Sequence, residues 1–382
     1  MKKFLSIYIF FCVLFAGRVF SQDASNQDVV RNIKVNVYLD QIEKKRAQEL
    51  TQKVSPVKYE VVPAVAEKPA EVKKAPKVKT DSLFSNTTTS FNTGVISQQI
   101  YGDSNYRIEF TDHLDDFGID VNGASELNFP IRGYFAGARL TWQEKLRRDE
   151  RKDLIRFTLD WYTHIYNNSS QMRDSDWFED PFHAGRDIYS ESNCDMGGYG
   201  IDARLVWNMF SLGDNIFTGP MLGYKYQHFN FSCRDLEQIG YGVFAPYYTS
   251  NVSGAALEYE VKNMIPYIGW SADILFTDDL SLNTALGYSF YAVSQDVDDH
   301  VLRYKRSTGD CQGHALLADM AVNWDINALW SFTTGVQYLH SSTSGRQIQT
   351  FYAGPYTGTV NNLDMQINTD QIAVNFVLSY KF

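Results

Sequence analysis

A chain of 382 residues with a formal net charge of −10 has no basic field to gather phosphates, which excludes nucleic acid as a partner and leaves a cationic ligand open. Its 24 Tyr, 25 Phe and 7 Trp make 15% of the residues aromatic, yet its mean hydropathy is that of a polar protein. Past the N-terminus no stretch approaches the ~18 uninterrupted apolar residues of a membrane-spanning helix, so a helical membrane protein is excluded too.

The chain begins Met-Lys-Lys, continues with an apolar run from Phe4 to Gly17, and reaches Val19-Phe20-Ser21, where short residues stand at the positions of a signal cleavage site. Residues 1–21 are read as an export signal that carries Cys12 away with it. An exported chain without transmembrane helices is either soluble or a membrane β-barrel. Aromatic content with low hydropathy fits a barrel, whose residues alternate between lipid and a wet lumen and whose interfaces carry aromatic girdles; a secreted β-sandwich is the alternative.

Residues 22–86 differ from everything after them. Residues 28–52 fit a polar helix, and "SPVKYEVVPAVAEKPAEVKKAPKVK" mixes Pro, Ala, Glu, Val and Lys without strand alternation, a composition that favours an extended linker. It is expected in the periplasm, as a tether or as a lysine-rich contact with an anionic surface.

From residue 87 to 382 the pattern becomes alternation. In "LIRFTLDWYTHIY", Ile155, Phe157, Leu159, Trp161 and Ile165 share one face and Arg156, Asp160, Tyr162 and His164 the other. Ten such strands are predicted, near 88–101, 124–142, 154–168, 196–210, 216–232, 254–276, 280–295, 313–326, 329–344 and 367–382. The fold class expected is therefore all-β, an antiparallel up-and-down transmembrane barrel. Short turns such as "SLGDN", "TDD" and "INAL" face the periplasm in this reading, the run 143–153 being a solvated one, and long polar loops face outside. The last strand closes with Val374, Phe376, Leu378, Tyr380 and Phe382 on one face, like the terminal signal of bacterial outer-membrane barrels.

Cys194, Cys233 and Cys311 all fall on the extracellular side. An odd number in an oxidising compartment suggests one disulfide and one spare thiol, with all three pairings open. None has the spacing of a metal site. The tryptophans Trp161, Trp207, Trp270, Trp324 and Trp330 are read as wall or interface residues, His164 and His183 as lumen or loop residues, and His314 and His340 as histidines without a paired acid.

The extracellular side also collects candidate chemistry. Asp298 and His300 are two apart, as are Asp174 and Asp176 in "RDSDWFED", and residues i and i+2 of an extended chain point the same way. The first pair reads as an imidazole oriented by a carboxylate. The second reads as two carboxylates able to share a proton or hold a water. A water between them could lose a proton to His300 and attack an acyl carbon. Parity carries Asp174 and Asp176 inward from Tyr162 and His164 if that strand continues without a bulge. On the seventh strand strict alternation from Leu286, Tyr288 and Phe290 would carry Asp298 and His300 outward, so a bulge or strong twist above the bilayer must intervene. The plainer readings are a solvated acidic face, or a contact for calcium or lipopolysaccharide.

Four segments, "RDSDW", "MIPYIGWSADILF", "LNTALGYSFYAVSQDVDDH" and the closing "VLSYKF", resemble corresponding segments of the omptins, ten-stranded outer-membrane endopeptidases. The resemblance covers most of 150–382, is fainter over 88–150 and is absent from 22–85. It implies that Asp298 and His300 activate water, that Asp174 and Asp176 hold it, and that Asp296 receives a basic side chain; Ser190 in "DIYSES" is read separately as a residue lining the cleft. The family's second pocket acid has no counterpart: Gly102 falls at its place, with Asp103 beside it. The resemblance further implies a monomer in the bacterial outer membrane, a peptide or protein substrate with basic residues, no cofactor, and lipopolysaccharide as an activator, with Lys262 one contact and His228 where an arginine is usual. The rival is a non-catalytic barrel serving as structural protein, adhesin or small porin, although ten strands leave little open lumen.

Overall fold

The computed structural model describes residues 87–382 apart from 115–118, 147–148, 168–169, 180–184, 242–247, 354–356 and 359; the expected signal, the linker and His183 lie outside the described residues. The strands are β1 (Thr87–Leu114), β2 (Ile119–Leu146), β3 (Asp149–Asn167), β4 (Ser170–Glu179), β5 (Arg186–Trp207), β6 (Phe210–Leu212), β7 (Ile216–Gly240), β8 (Tyr248–Leu275), β9 (Leu280–His300), β10 (Lys305–Asp325), β11 (Trp330–Phe351) and β12 (Val360–Lys381). Every pairing is antiparallel. β4 continues the line of β3 between β2 and β5, and β6 continues that of β5 along β7. β12 returns to β1, so twelve segments fill ten wall positions of one closed ring. The expected barrel is the observed one.

The strands outrun their predicted ends mostly on the extracellular side; at the periplasmic end β2 runs on to Leu146 and β3 starts already at Asp149. β1 was expected to stop near 101 and reaches Leu114; β9 was expected to stop near 295 and reaches His300. At ~3.3 Å per residue and ~40° tilt, a strand of 28 residues such as β1 rises ~70 Å, far beyond the ~25 Å apolar band of a barrel wall. Above the band both faces are wet, and hydrophobic alternation fades while the hydrogen-bond ladder continues. On β9 the exposed apolar residues Leu286, Tyr288, Phe290 and Tyr291 mark the band, and the next fully exposed residue is Gln295. The five singled-out tryptophans all face outward on the wall, as do Phe376, Leu378 and Phe382.

The lumen is filled rather than open. Across its upper half Phe129, Phe135, Phe229, Phe231 and Tyr259 are buried together, with Phe129 and Tyr259 stacked at 4.1 Å between centroids. Below them lies a layer of paired charges: Lys225–Asp202 at 2.9 Å, Arg204–Asp319 at 2.8 Å, Arg139–Asp160 at 2.7 Å and Arg156–Asp273 at 2.9 Å. Asp153, placed by the sequence in a merely solvated turn, joins this layer through Arg156 and Gln143. A cavity of about 650 Å³ opens beneath it toward the periplasmic turns. A filled middle disfavours the porin alternative.

The three cysteines are not on loops. All are buried in the upper lumen, where Cys194 of β5 and Cys233 of β7 are direct ladder partners, 4.2 Å apart at Cα, and form the disulfide; Cys311 is free. The staple joins wall strands just below the point where the β5–β7 register slips between Glu191 and Asn193. Closing 39 residues of chain removes denatured-state entropy worth ~4 kcal/mol. Reduced protein, or the Cys194→Ala, Cys233→Ala variant, is expected to unfold at lower urea than the oxidised barrel while still folding. An unchanged midpoint would show that the staple does not constrain the denatured chain.

Candidate active site

Asp174 and Asp176 sit on β4 with buried, inward side chains. Their parity is right for an unexpected reason. Between Tyr134 and Phe135 β3 slips by one residue against β2, where Ile165 and Tyr166 are both exposed, and a second slip follows: six residues of β2 from Gly133 to Asn128 stand against seven from Asn167 to Arg173. The two slips cancel, and even-numbered residues point inward on both segments. Across the ladder Asp174 faces Ser190 of β5, also buried, and Ser125 Oγ of β2 donates to Asp174 Oδ1 at 3.5 Å.

On β9 a bulge is present. Phe290 is 75% and Tyr291 56% exposed, side by side, and Ala292 is 0% exposed. Ala315 of β10 pairs with Ser289 and Gly313 with Ala292, so two residues of β9 face His314 alone. On the other side the β8 register shifts between Met264 and Ile268, where Pro266 has no amide hydrogen to lose from the ladder. Beyond the bulge Ser294, Asp296, Asp298 and His300 all turn into the lumen and are buried. In the ring β4 and β9 stand nearly opposite, with β5, β7 and β8 between them on one side.

His300 Nε2 lies 3.0 Å from Asp298 Oδ2, an ion-pair distance without hydrogen-bond alignment. Burial drives the His300 imidazole below its ordinary value and Asp298 only partly restores it, so the ring is a neutral base at pH 7. Burial also works to raise Asp298, but His300, Lys305 and Arg303 outweigh it and hold that carboxyl below its usual range. Asp174 is pushed up to about 8, by burial first and then by Asp176. Asp174 feels Asp298, Lys305 and Arg303 as well, which puts the two sides of the mouth within electrostatic reach. Asp296 is raised well above a normal carboxyl, by burial first and then by Asp298.

Several neighbours had no signal in the sequence. Lys305, Ser307 and Gly309 of β10 face His300, Asp298 and Asp296 directly across the ladder. A Cβ on Gly309 would run into Asp296 Oδ1 and Met365 Sδ, so only glycine leaves the Asp296 carboxyl its place. Tyr259 of β8 pairs with Asp298, and Tyr106 of β1 is held by Gln347, itself bonded by Gln349 at 2.8 Å. Burial, then the two aspartates, raise both phenols, which therefore stay neutral donors. Tyr259 Oη, Ser307 Oγ and both carboxylate oxygens of Asp296 are buried with no hydrogen-bond partner among the described residues. A continuation of β9 through a four-residue turn into β10 would have placed Lys305 opposite His300; alternation alone did not reach that far.

Other expectations settle plainly. Gly102 takes the inward position on β1 and offers no side chain, while Asp103 takes the outward one, paired with Asp370 of β12. Lys262 faces out of the barrel beside His228, and both contact Glu260, at 2.6 and 3.2 Å, with Tyr199 packed on His228. His340, expected to lack a paired acid, has one: Asp370 Oδ1 lies 2.8 Å from its Nδ1 on the outer wall, brought there by strand pairing that sequence spacing does not reveal. Among the described residues no group of three or more His, Cys, Asp or Glu is placed to hold a metal.

Residues 141–343 match the profile of the omptin family. No curated protein matches the chain. Among solved structures, the outer membrane protease OmpT from Escherichia coli superposes with a TM-score of 0.63 at 15% identity, covering 77% of this chain and 97% of that one. The outer membrane protein OprG from Pseudomonas aeruginosa (11% identity, 76% and 96% covered) and the translocator domain of autotransporter NalP from Neisseria meningitidis (9%, 78% and 91%) each reach only 0.31. The first superposition establishes the fold, and the profile spans more than half of the sequence: the chain belongs to the omptin family of outer-membrane proteases, and its barrel stands in the bacterial outer membrane.

Proposed function

We propose that the barrel mouth is an endopeptidase site in which Asp298 and His300 activate a water held by Asp174 and Asp176, with Asp296 receiving a basic side chain next to the scissile bond. The observation that supports this reading most is the β9 bulge, beyond which a neutral imidazole and its carboxylate face the lumen, within electrostatic reach of the β4 acids. His300 directs Nε2 at Asp298 and keeps its other nitrogen for the proton of water. The protonated partner of the β4 pair donates to that water and the ionised one accepts from it. Bound peptide supplies partners for the unpaired oxygens of Asp296, and a cationic side chain favours the ionised form that burial opposes. Lipopolysaccharide contacts the outer wall at Lys262, beside which His228 stands in place of an arginine.

With only Asp296 as pocket acid, Lys and Arg should be accepted with little discrimination between them. In lipopolysaccharide micelles the barrel is expected to cleave peptides with Arg-Arg or Lys-Lys junctions and to spare neutral ones; Asp296→Asn should lower kcat/KM on basic junctions by ~10²-fold or more. Equal cleavage of basic and neutral junctions would remove Asp296 from the pocket. The pH profile of kcat/KM follows from the directions of shift in the free enzyme. His300 must be deprotonated, so the acid limb lies below 6.5, and Asp174 must hold its proton, so activity falls again near 8. A profile rising steadily through pH 9 would contradict the shared proton.

A further inference from the structure

We propose that Lys305 is a catalytic residue, its ammonium meeting the carbonyl oxygen of the scissile bond as that oxygen becomes an anion. This deepens, and rests on, the peptidase reading. Lys305 is the first residue of β10 and the ladder partner of His300, reached through the single 3-10 turn Val301–Arg303 and the left-handed Tyr304. It shares the inward face of β10 with Ser307, Gly309 and Cys311, and it is only 7% exposed. Burying a lysine stem that deeply is costly unless the charge is paired. Yet among the described residues Lys305 makes no ion pair within 4.0 Å, although Asp298, Asp176 and Asp174 all act on it from farther away. Unlike Tyr259 Oη and Ser307 Oγ, its nitrogen is not among the sealed, unpartnered atoms.

The reaction needs a donor in that place. When water gives a proton to His300 and its oxygen bonds to the carbonyl carbon, the carbonyl electron pair moves onto oxygen. When the C–N bond breaks, that pair re-forms the carbonyl and the leaving nitrogen takes the proton from His300. Asp296, Asp298 and Asp176 cannot donate to the intermediate once ionised, and His300 is occupied with the proton in flight. Lys305 is the cation on the same face, fixed one ladder rung from the base. Burial makes its proton easier to share, which strengthens the hydrogen bond it offers.

The test is steady-state cleavage of an Arg-Arg peptide by wild type, Lys305→Met and Lys305→Arg, each checked for heat-modifiable barrel folding. Loss of one oxyanion donor costs ~10²–10³-fold in kcat. Lys305→Met is expected to lose that much at every pH from 5 to 9, with KM within about threefold of wild type, and Lys305→Arg to recover about tenfold of the loss. A lysine that only tuned its neighbours would instead shift the pH profile and leave the plateau kcat intact, and a lysine that only held substrate would raise KM; either outcome overturns the proposal. A wild type that cleaves no peptide overturns the peptidase reading itself, a different result from an active Lys305→Met.

Discussion

His300→Ala is expected to lower kcat by ~10²–10⁴-fold while the barrel still folds, because the imidazole is the group proposed to take a proton from water. Its neighbours suit it to that role. Burial keeps the ring neutral near pH 7, and Asp298, held ionised, stabilises the imidazolium as it forms. Asp298→Asn keeps the shape and loses the charge, so it should fall nearly as far. Folding should survive these changes, since the side chains lie above the apolar band and outside the aromatic and ionic layers that fill the lumen. The measurement is peptide turnover set beside the heat-modifiable gel shift. A His300→Ala protein that turns over like wild type would remove His300 from the chemistry.

Inserting one alanine between Val293 and Ser294 should be as damaging as deleting the base. Side chains of a strand alternate, so one added residue reverses the facing of everything beyond it. Asp296, Asp298 and His300 then take the outward positions opposite Thr308, Arg306 and Tyr304, and Gln295, Val297 and Asp299 take the lumen positions opposite Gly309, Ser307 and Lys305. The transmembrane part of β9, from Leu280 to Phe290, keeps its pairing with β8 and β10, so the barrel should assemble with little or no activity. Deletion of Tyr291 is the control: it removes the residue in excess opposite His314, keeps Ala292 opposite Gly313, leaves Asp296, Asp298 and His300 inward, and should retain most of the turnover. Equal activity of the insertion and the control would mean that the strand restores its facing by another route.

The sequence carried the barrel well wherever one face meets lipid. Trp161, Phe376 and Leu378 alternate with inward Asp160, Asn375 and Val377, and the strand count and closure follow from such patterns. Above the bilayer that contrast disappears, which is why β1, β7 and β10 extend beyond their alternating stretches and why Lys305 and Ser307 belong to a strand that hydrophobic alternation does not mark. The proposed site residues are legible as i, i+2 pairs, and the parity conflict on β9 calls for a bulge or a twist, of which the bulge is found. Parity on β4 came out right although the condition attached to it failed, because two slips compensate. Pairings between strands were out of reach. Cys194 with Cys233, Asp370 with His340 and Asp273 with Arg156 are set by register, and the last pair is 117 residues apart.

The central claim is that β4 and β9 act on one water molecule from opposite sides of the mouth. A double-mutant cycle in kcat/KM with Asp174→Ala, His300→Ala and the pair of changes together measures it directly. If both sides serve the same water, each single variant already loses most of the rate and the double variant is about as slow as the worse of them. Losses that multiply in the double variant would show two independent contributions and contradict the shared water.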